Sequence, residues 1–396
     1  MLKSKTVGVI VIMATIFLSL PVSAAQDVGS RYFIKSTSAF WKNSLGVRHN
    51  FENGFTADLS GIQFRLAKIF GLQVELVKSL SILLPVSQIE LDLDTKSSSG
   101  KKDRVIPSDQ LPWGVGLVYD SQAISSTSGG EGINIAVLDT GVFKNHSDLE
   151  EIVSECKDFT ARLSLIDGKC EDKNGHGTHV AGIIGANAGA DKLGIYGIAS
   201  EANIFAYKVC SNDGSCWADD VAAGIRDAVN SGANIINLSL GSDSDVEMIR
   251  SAIDYAESKN VLIVAAAGND GPYVGSIDYP SAQVNVIAVG AIDSLEAIPN
   301  WSSRGSNTDT KLGVIEEKDI EFGAPGVNIE STWKNGGYAI LSGTSMAAPF
   351  VSGLAAKFWQ GDAKQTRDYL YTIIKDLGST GEDNATGFGL PMVMEK

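Results

Sequence analysis

The sequence predicts a doubly wound α/β domain built on a mostly parallel sheet and preceded by a small α+β segment. Three observations carry that prediction. Five short, mainly apolar runs rich in β-branched residues, at 133–138, 204–209, 235–240, 261–267 and 286–289, read as strands buried on both faces. Stretches with helical spacing, at 176–186, 219–231 and 245–259, alternate with them. Buried strands separated by helices fold economically only as parallel strands with right-handed crossovers. The chain has 396 residues, 44% hydrophobic and 20% charged, enough for one large domain with processing segments or for two ordinary domains. No internal repeat or low-complexity tract interrupts it.

The N-terminal quarter is organised differently. Lys3 and Lys5 precede an apolar stretch at 7–20, followed by Pro21-Val22-Ser23-Ala24-Ala25. A basic start, an apolar core and small residues before a cut describe a secretory signal peptide, 1–24, cleaved after Ala24 or Ala25. As a membrane anchor the stretch is short, because a span needs about 20 apolar residues. The expected product is secreted, with no membrane association once the signal is removed. Residues 31–35 read as a strand, 61–70 as a short helix, and 72–84 as a strand or strand pair. The polar run Thr95-Lys96-Ser97-Ser98-Ser99-Gly100-Lys101-Lys102-Asp103-Arg104 marks a linker, so the expected boundaries are 25–104 and 105–396.

Charge follows the same division. Residues 1–104 hold 13 Lys and Arg against 8 Asp and Glu, a net +5, and the remainder of the −15 total is −20. An acidic main domain excludes nucleic acid as a principal partner, since phosphate binding needs a basic face. Four cysteines, Cys156, Cys170, Cys210 and Cys216, all fall in the acidic part. In an exported protein they imply two disulfides, for which three pairings exist. The local pairing, Cys156–Cys170 with Cys210–Cys216, is the expected one. A metal site is the alternative, but neither pair has close C-x-x-C spacing.

Three residues carry candidate chemistry. Asp139 ends the first strand run in Leu138-Asp139-Thr140-Gly141, where open α/β sheets place their sites. Alone, such an Asp is more often a turn or helix cap. His176 opens a helix of small residues in Asn174-Gly175-His176-Gly177-Thr178-His179-Val180-Ala181-Gly182 and suits a general base. A metal pair with His179 is the competing reading, but the spacing is three and the Glu of H-E-x-x-H is missing. His179 is expected to pack structurally. Ser345, in Gly343-Thr344-Ser345-Met346-Ala347-Ala348-Pro349, stands at a second helix start, where backbone N–H groups can face a developing oxyanion. Singly, a Ser there is usually an N-cap.

Together, in the order Asp, His, Ser, the three motifs closely resemble those of the subtilisin-like serine proteases, over about residues 109–391. The resemblance implies peptide-bond hydrolysis through an acyl-enzyme on polypeptide substrates, with Asp139, His176 and Ser345 as the triad and no catalytic cofactor. It makes Asn269, in Ala267-Gly268-Asn269, the oxyanion donor. It makes Ser239-Leu240-Gly241 and the facing Gly214-Ser215 the edges that pair with an extended substrate. It places Asp278 at the base of the P1 pocket and Asp270 at its rim, which favours Lys or Arg at P1. It implies a structural Ca²⁺ site from Asp109, Asp148 and Asp191 with carbonyls of Leu193 and Ile195, although the loop 187–193 is two residues longer than in the subtilisins. It identifies 25–104, more weakly, as a propeptide that acts as an intramolecular chaperone and inhibitor, with Arg104 as one cleavage point that would leave Val105 first. A monomer is expected. The rival readings are an inactive binding module on the same scaffold and an acid-acting serine-carboxyl peptidase, which would need Glu in place of His176.

Overall fold

A computed structural model of the chain describes residues 30–83, 86–91, 105–120, 124–162, 165–307 and 314–393. The expected signal peptide and the linker at 95–104 lie outside these residues. The small N-terminal unit comprises β1 Ser30–Ile34, α1 Ala39–Leu45, β2 Asn50–Phe51, β3 Gly54–Leu59, α2 Gly61–Ile69 and β4 Val74–Leu76. Its strands form an antiparallel sheet in the order β2-β3-β1-β4. Ser60 and Gln63 close a capping box on α2, so that helix starts where its side chains satisfy the orphan amides. Ile34, Phe55, Leu59, Ala67 and Val74 fill a separate core.

Two short strands, β5 Ser79–Ile82 and β6 Ser87–Glu90, lead away from this unit and pair with the main domain. That domain continues through α3 Trp113–Val118, β7 Asn134–Asp139, β8 Val153–Asp158, β9 Ile166–Asp167, α4 His176–Gly185, β10 Asn203–Lys208, β11 Ser215–Trp217, α5 Ala218–Asn230, β12 Ile235–Leu238, β13 Leu240–Gly241, α6 Glu247–Ser258, β14 Leu262–Ala266, β15 Val286–Ile292, β16 Phe322–Pro325, β17 Ile329–Thr332, β18 Tyr338–Ser342, α7 Thr344–Lys357 and α8 Ala363–Leu370. Its large sheet runs β16-β15-β14-β12-β7-β10-β8-β9. All of these strands are parallel except β9, which pairs antiparallel at one edge.

The order explains where a site can form. The first long strand, β7, lies in the middle, with β10 and β8 on one side and β12, β14, β15 and β16 on the other. Such a reversal opens a crevice outside the carboxyl ends of the strands. Ile135, Val137 and Val264 face one apolar core, and Ala136, Leu138 and Ile263 face the other. This is why the strand runs are mainly apolar on both faces rather than alternating. Helices α4 and α7 are buried along nearly their full length, so their sequences are small and apolar on every side. Close packing sets this limit: a Cβ on Gly177 would stand 2.2 Å from the Gly141 carbonyl oxygen.

The strands at 153–158 and 322–325 and the β17–β18 hairpin were not anticipated. Val153–Asp158 is mostly polar and lies near a sheet edge, and the others are four or five residues long. Disulfides join Cys156 to Cys170 and Cys210 to Cys216. No helix among the described residues is long and apolar enough to cross a membrane.

Candidate active site

Asp139, at the carboxyl end of β7, is fully buried and lies beside the first turn of α4. Both of its carboxylate oxygens face Nδ1 of His176, at 2.9 and 3.0 Å. A carboxylate on Nδ1 keeps the ring proton there and leaves Nε2 bare. Nε2 of His176 is buried and has no hydrogen-bond partner among the described residues. Asp172 holds the helix start in place. Its oxygens accept from Gly175 N (2.8 Å), Thr178 N (2.9 Å), Thr178 Oγ1 (2.6 Å) and Thr140 Oγ1 (2.9 Å). Sequence reading passed over Asp172, although an Asp just ahead of Asn-Gly and a helix start is a capping signal. His179 is neutral and structural. Its Nε2 lies 3.0 and 3.1 Å from the carbonyls of Ile329 and Ala339, and burial, then neighbouring His176, lowers its pKa to about 3.

Ser345 enters from the other side of the crevice, in the first turn of α7. Ser239 Oγ donates to the Ser345 carbonyl (3.0 Å) and accepts from Asn237 Nδ2 (3.1 Å), while Ser352 Oγ bonds Asn237 Oδ1 (2.8 Å). This buried polar chain locks β12 to α7. Asn269, just beyond β14, accepts from the Thr344 backbone N–H and hydroxyl through Oδ1, both at 3.0 Å. Fixing Oδ1 in this way aims the Nδ2 end of the amide as the donor, beside the helix start that carries Ser345.

The two expected substrate edges face each other, and a strand of this chain lies between them. β5 pairs antiparallel with β11 on one side and with β13 on the other. Ile82 N donates to Gly214 O (2.9 Å), and Leu83 N to Ser239 O (3.4 Å). Ser345 Oγ donates to Leu83 O (3.1 Å) and also lies 3.3 Å from Ser239 O. Gly214 has φ +88°, and a Cβ there would meet Ile82 Cγ1 at 2.8 Å, so the edge requires glycine on both counts. Leu80 and Ile82 point inward and are buried, whereas Ser79 and Ser81 point out. Each such aliphatic side chain contributes about 1.5–3 kcal/mol.

Asp278 and Leu83 both approach Gly241. A Cβ on Gly241 would lie 3.1 Å from Asp278 Oδ2 and 3.2 Å from Leu83 Cδ2. Asp278 is 3% exposed, and its carboxylate oxygens come within 4.8 Å of those of Asp270 and Asp243. Burial first, then the charges of Asp270 and Asp243, push its pKa up to about 7.

Of the expected calcium residues, Asp148 and Ile195 are in direct contact. The carboxylates of Asp109, Asp148 and Asp191 do not converge to within 4.8 Å of one another among the described residues. Asp148 Oδ2 already accepts from Ile195 N (2.9 Å) and Tyr338 OH (2.7 Å), and the Ile195 carbonyl accepts from Ala188 N (2.9 Å). Asp109 and Asp191 each cap the backbone N–H two residues on, at Leu111 and Leu193. These bonds tie the longer loop to Asp148.

The small unit docks by charge as well as by β5. Arg31 Nη1 lies 2.8 Å from both Asp219 and Asp220, in the first turn of α5, and its guanidinium stacks 4.7 Å over Trp217. His49 Nε2 lies 2.8 Å from Asp220 Oδ1.

Comparison with known proteins agrees with this architecture. The subtilase family model matches residues 130–389. A subtilisin of Bacillus sp. (strain TA39) is 42% identical over 376 residues, 89% of this chain and 87% of that protein. An alkaline protease of Alkalihalobacillus alcalophilus is 33% identical, over 96% of this chain and 94% of that protein. Among solved structures, the S41 psychrophilic protease and sphericase each superpose with a TM-score of 0.70 at 45% and 46% identity, covering 73% of this chain and all of theirs. The chain is therefore a serine endopeptidase and belongs to the subtilase family.

Proposed function

We propose that the protein is a secreted endopeptidase, made as a precursor, that hydrolyses polypeptides through an acyl-enzyme and releases its own N-terminal unit. The observation that carries this reading is a peptide strand lying between two edges, with the Leu83 carbonyl on Ser345 Oγ and a carboxylate-held imidazole in the same crevice. In the reaction, Ser345 Oγ attacks the carbonyl carbon while Nε2 of His176 takes its proton. Asp139 holds the ring and stabilises the imidazolium that forms. The charge on the former carbonyl oxygen is met by Asn269 Nδ2 and the Ser345 N–H, which are fixed before the charge develops. His176 then protonates the leaving amine, and water repeats the sequence on the ester. The polypeptide is bound chiefly through its main chain, with apolar demand at the positions of Leu80 and Ile82. No step passes through calcium.

Asp278 supports a further element of the reading, a preference for Lys or Arg at P1. A buried carboxyl with two acidic neighbours gains most from a cationic side chain. The inactive binding-module reading does not account for a buried imidazole held by a carboxylate with its second nitrogen left bare. Two measurements test the function. A fluorophosphonate probe should label the wild-type protein, and Ser345→Ala should take up no label and accumulate as full-length precursor in a host lacking other exported proteases. Processing of the Ser345→Ala chain in such a host would refute self-maturation.

A further inference from the structure

The chain crosses the candidate site twice, and the second crossing is not explained by inhibition at the P1 side. On one side of Ser345 lies β5, followed directly by Leu83, the residue whose carbonyl meets Ser345 Oγ. On the other side lies β6, which adds an antiparallel strand to the open edge of the β17–β18 hairpin, with Ser87 opposite Ser342 and Glu90 opposite Ala339. Val86 N donates to Ser342 O (2.7 Å), Ser87 Oγ to Ser342 Oγ (2.8 Å) and Leu91 N to Tyr338 O (3.2 Å). Ser342 stands three residues before Ser345, so β6 occupies the edge where the leaving-group half of a substrate must pass. The basic residues Lys101, Lys102 and Arg104 come at least 18 positions after Leu83. Cutting the same molecule at any of them requires both strand pairings to come apart first.

We propose that the first self-cleavage falls on the carboxyl side of Leu83, and that β6, left on the new N-terminus, blocks the leaving-group edge until the basic linker is cut in turn. The inference rests on the self-maturation proposed above. In the first cut, Ser345 Oγ bonds to the Leu83 carbonyl carbon and the C–N bond to the next residue breaks. The amine leaves with the proton carried by His176, and water then frees Leu83 as a carboxylate and restores the Ser345 hydroxyl. The apolar Leu83 is accepted over Asp278 because tethering presents it at high effective concentration. The second cut, between molecules, meets a basic P1 residue that suits the acidic pocket. After the first cut, β6 is tethered through residues 92–104 and competes with substrate at an effective concentration of order millimolar. It obstructs only substrates that extend past the scissile bond.

A time course of the full chain, followed by intact mass and N-terminal sequencing, tests the order. The expected first new N-terminus is Leu84, with cuts after Lys101, Lys102 or Arg104 appearing later. A first N-terminus inside the linker, with Leu84 never seen, would overturn the proposal while leaving self-maturation standing. Absence of any Ser345-dependent cut would instead overturn self-maturation. A second arm traps the half-processed form with Lys101→Gln, Lys102→Gln and Arg104→Gln. Its KM for an internally quenched peptide with four residues after the scissile bond should exceed that of the fully trimmed enzyme by roughly fivefold or more. Its KM for a chromogenic substrate ending at P1 should be unchanged. Adding Ile89→Pro and Leu91→Pro, which strip ladder N–H groups from β6, should restore the first KM. Equal KM values in the trapped and trimmed forms would overturn the block.

Discussion

Replacing Asp278 with Asn tests the P1 pocket most directly. On the proposed reading this carboxyl forms the pocket base; burial, then the charges of Asp270 and Asp243, push its pKa up to about 7. Below that pH the pocket floor is neutral and suits Leu. Above it the floor carries a negative charge and suits Arg or Lys. An ion pair about 4 Å apart at an effective dielectric constant of 20 is worth about 4 kcal/mol before the guanidinium pays for leaving water. A net of about 1.5–3 kcal/mol remains, or roughly 10- to 100-fold in kcat/KM. The assay compares matched peptides with Arg or Leu at P1 from pH 5.5 to 9.5 on the trimmed enzyme. The Arg/Leu ratio should rise through pH about 7 in the wild type and stay flat in Asp278→Asn. A wild-type ratio that is flat with pH, or a slope that survives Asp278→Asn, would refute the reasoning. The same group leaves a mark on stability. Between its unfolded value of 3.8 and about 7, the folded form keeps a proton that the unfolded chain has released. Stability therefore falls as pH rises across that window, by at most about 1.4 kcal/mol per pH unit. In the Ser345→Ala precursor, which cannot digest itself, Asp278→Asn should remove that slope from thermal unfolding scans.

The remaining predictions concern the parts that hold the site. Asn269→Ala should lower kcat by about 10²–10³ with little change in KM, the scale known for the equivalent donor in subtilisin; a loss seen mainly in KM would contradict an oxyanion role. Arg31→Ala strands two buried carboxylates at the docking surface, a loss of about 3–5 kcal/mol, so the isolated N-terminal unit should inhibit the mature enzyme at least 100-fold more weakly. Unchanged inhibition would place the docking energy in β5 alone. Opening the Cys210–Cys216 ring with Ser at both positions should cost about 2 kcal/mol and raise KM for extended peptides more than for short ones, because the ring holds the Gly214-Ser215 edge. Equal effects on long and short peptides would reduce the ring to a surface staple.

Much of this protein was legible in one dimension, for a physical reason. Strands buried on both faces must be apolar throughout, so 133–138 and 261–267 announce themselves, and β7 and β14 lie on them within a residue. Helices threaded through a core must be small all round, which marks the segments around His176 and Ser345. Residues such as Asp139, at a strand end, and Asn269, just past one, stand in distinctive motifs and are likewise visible, because the motif and its local geometry coincide. Tertiary structure decided whatever depends on which distant segments meet. The short strands β6, β17 and β18 have no sequence period long enough to read, and their pairing exists only because each finds the other's edge. The charge excess of the N-terminal quarter was plain, but its focus on Arg31, Asp219 and Asp220 was not. The backbone contacts of the expected calcium residues, Asp109 to Leu111, Asp191 to Leu193 and Asp148 to Ile195, were likewise not readable in one dimension. Composition pointed to the basic linker as the segment to be cut, yet the residue on Ser345 is Leu83. Which residue a site holds is set by strand register across two edges, and register is a property of the folded sheet.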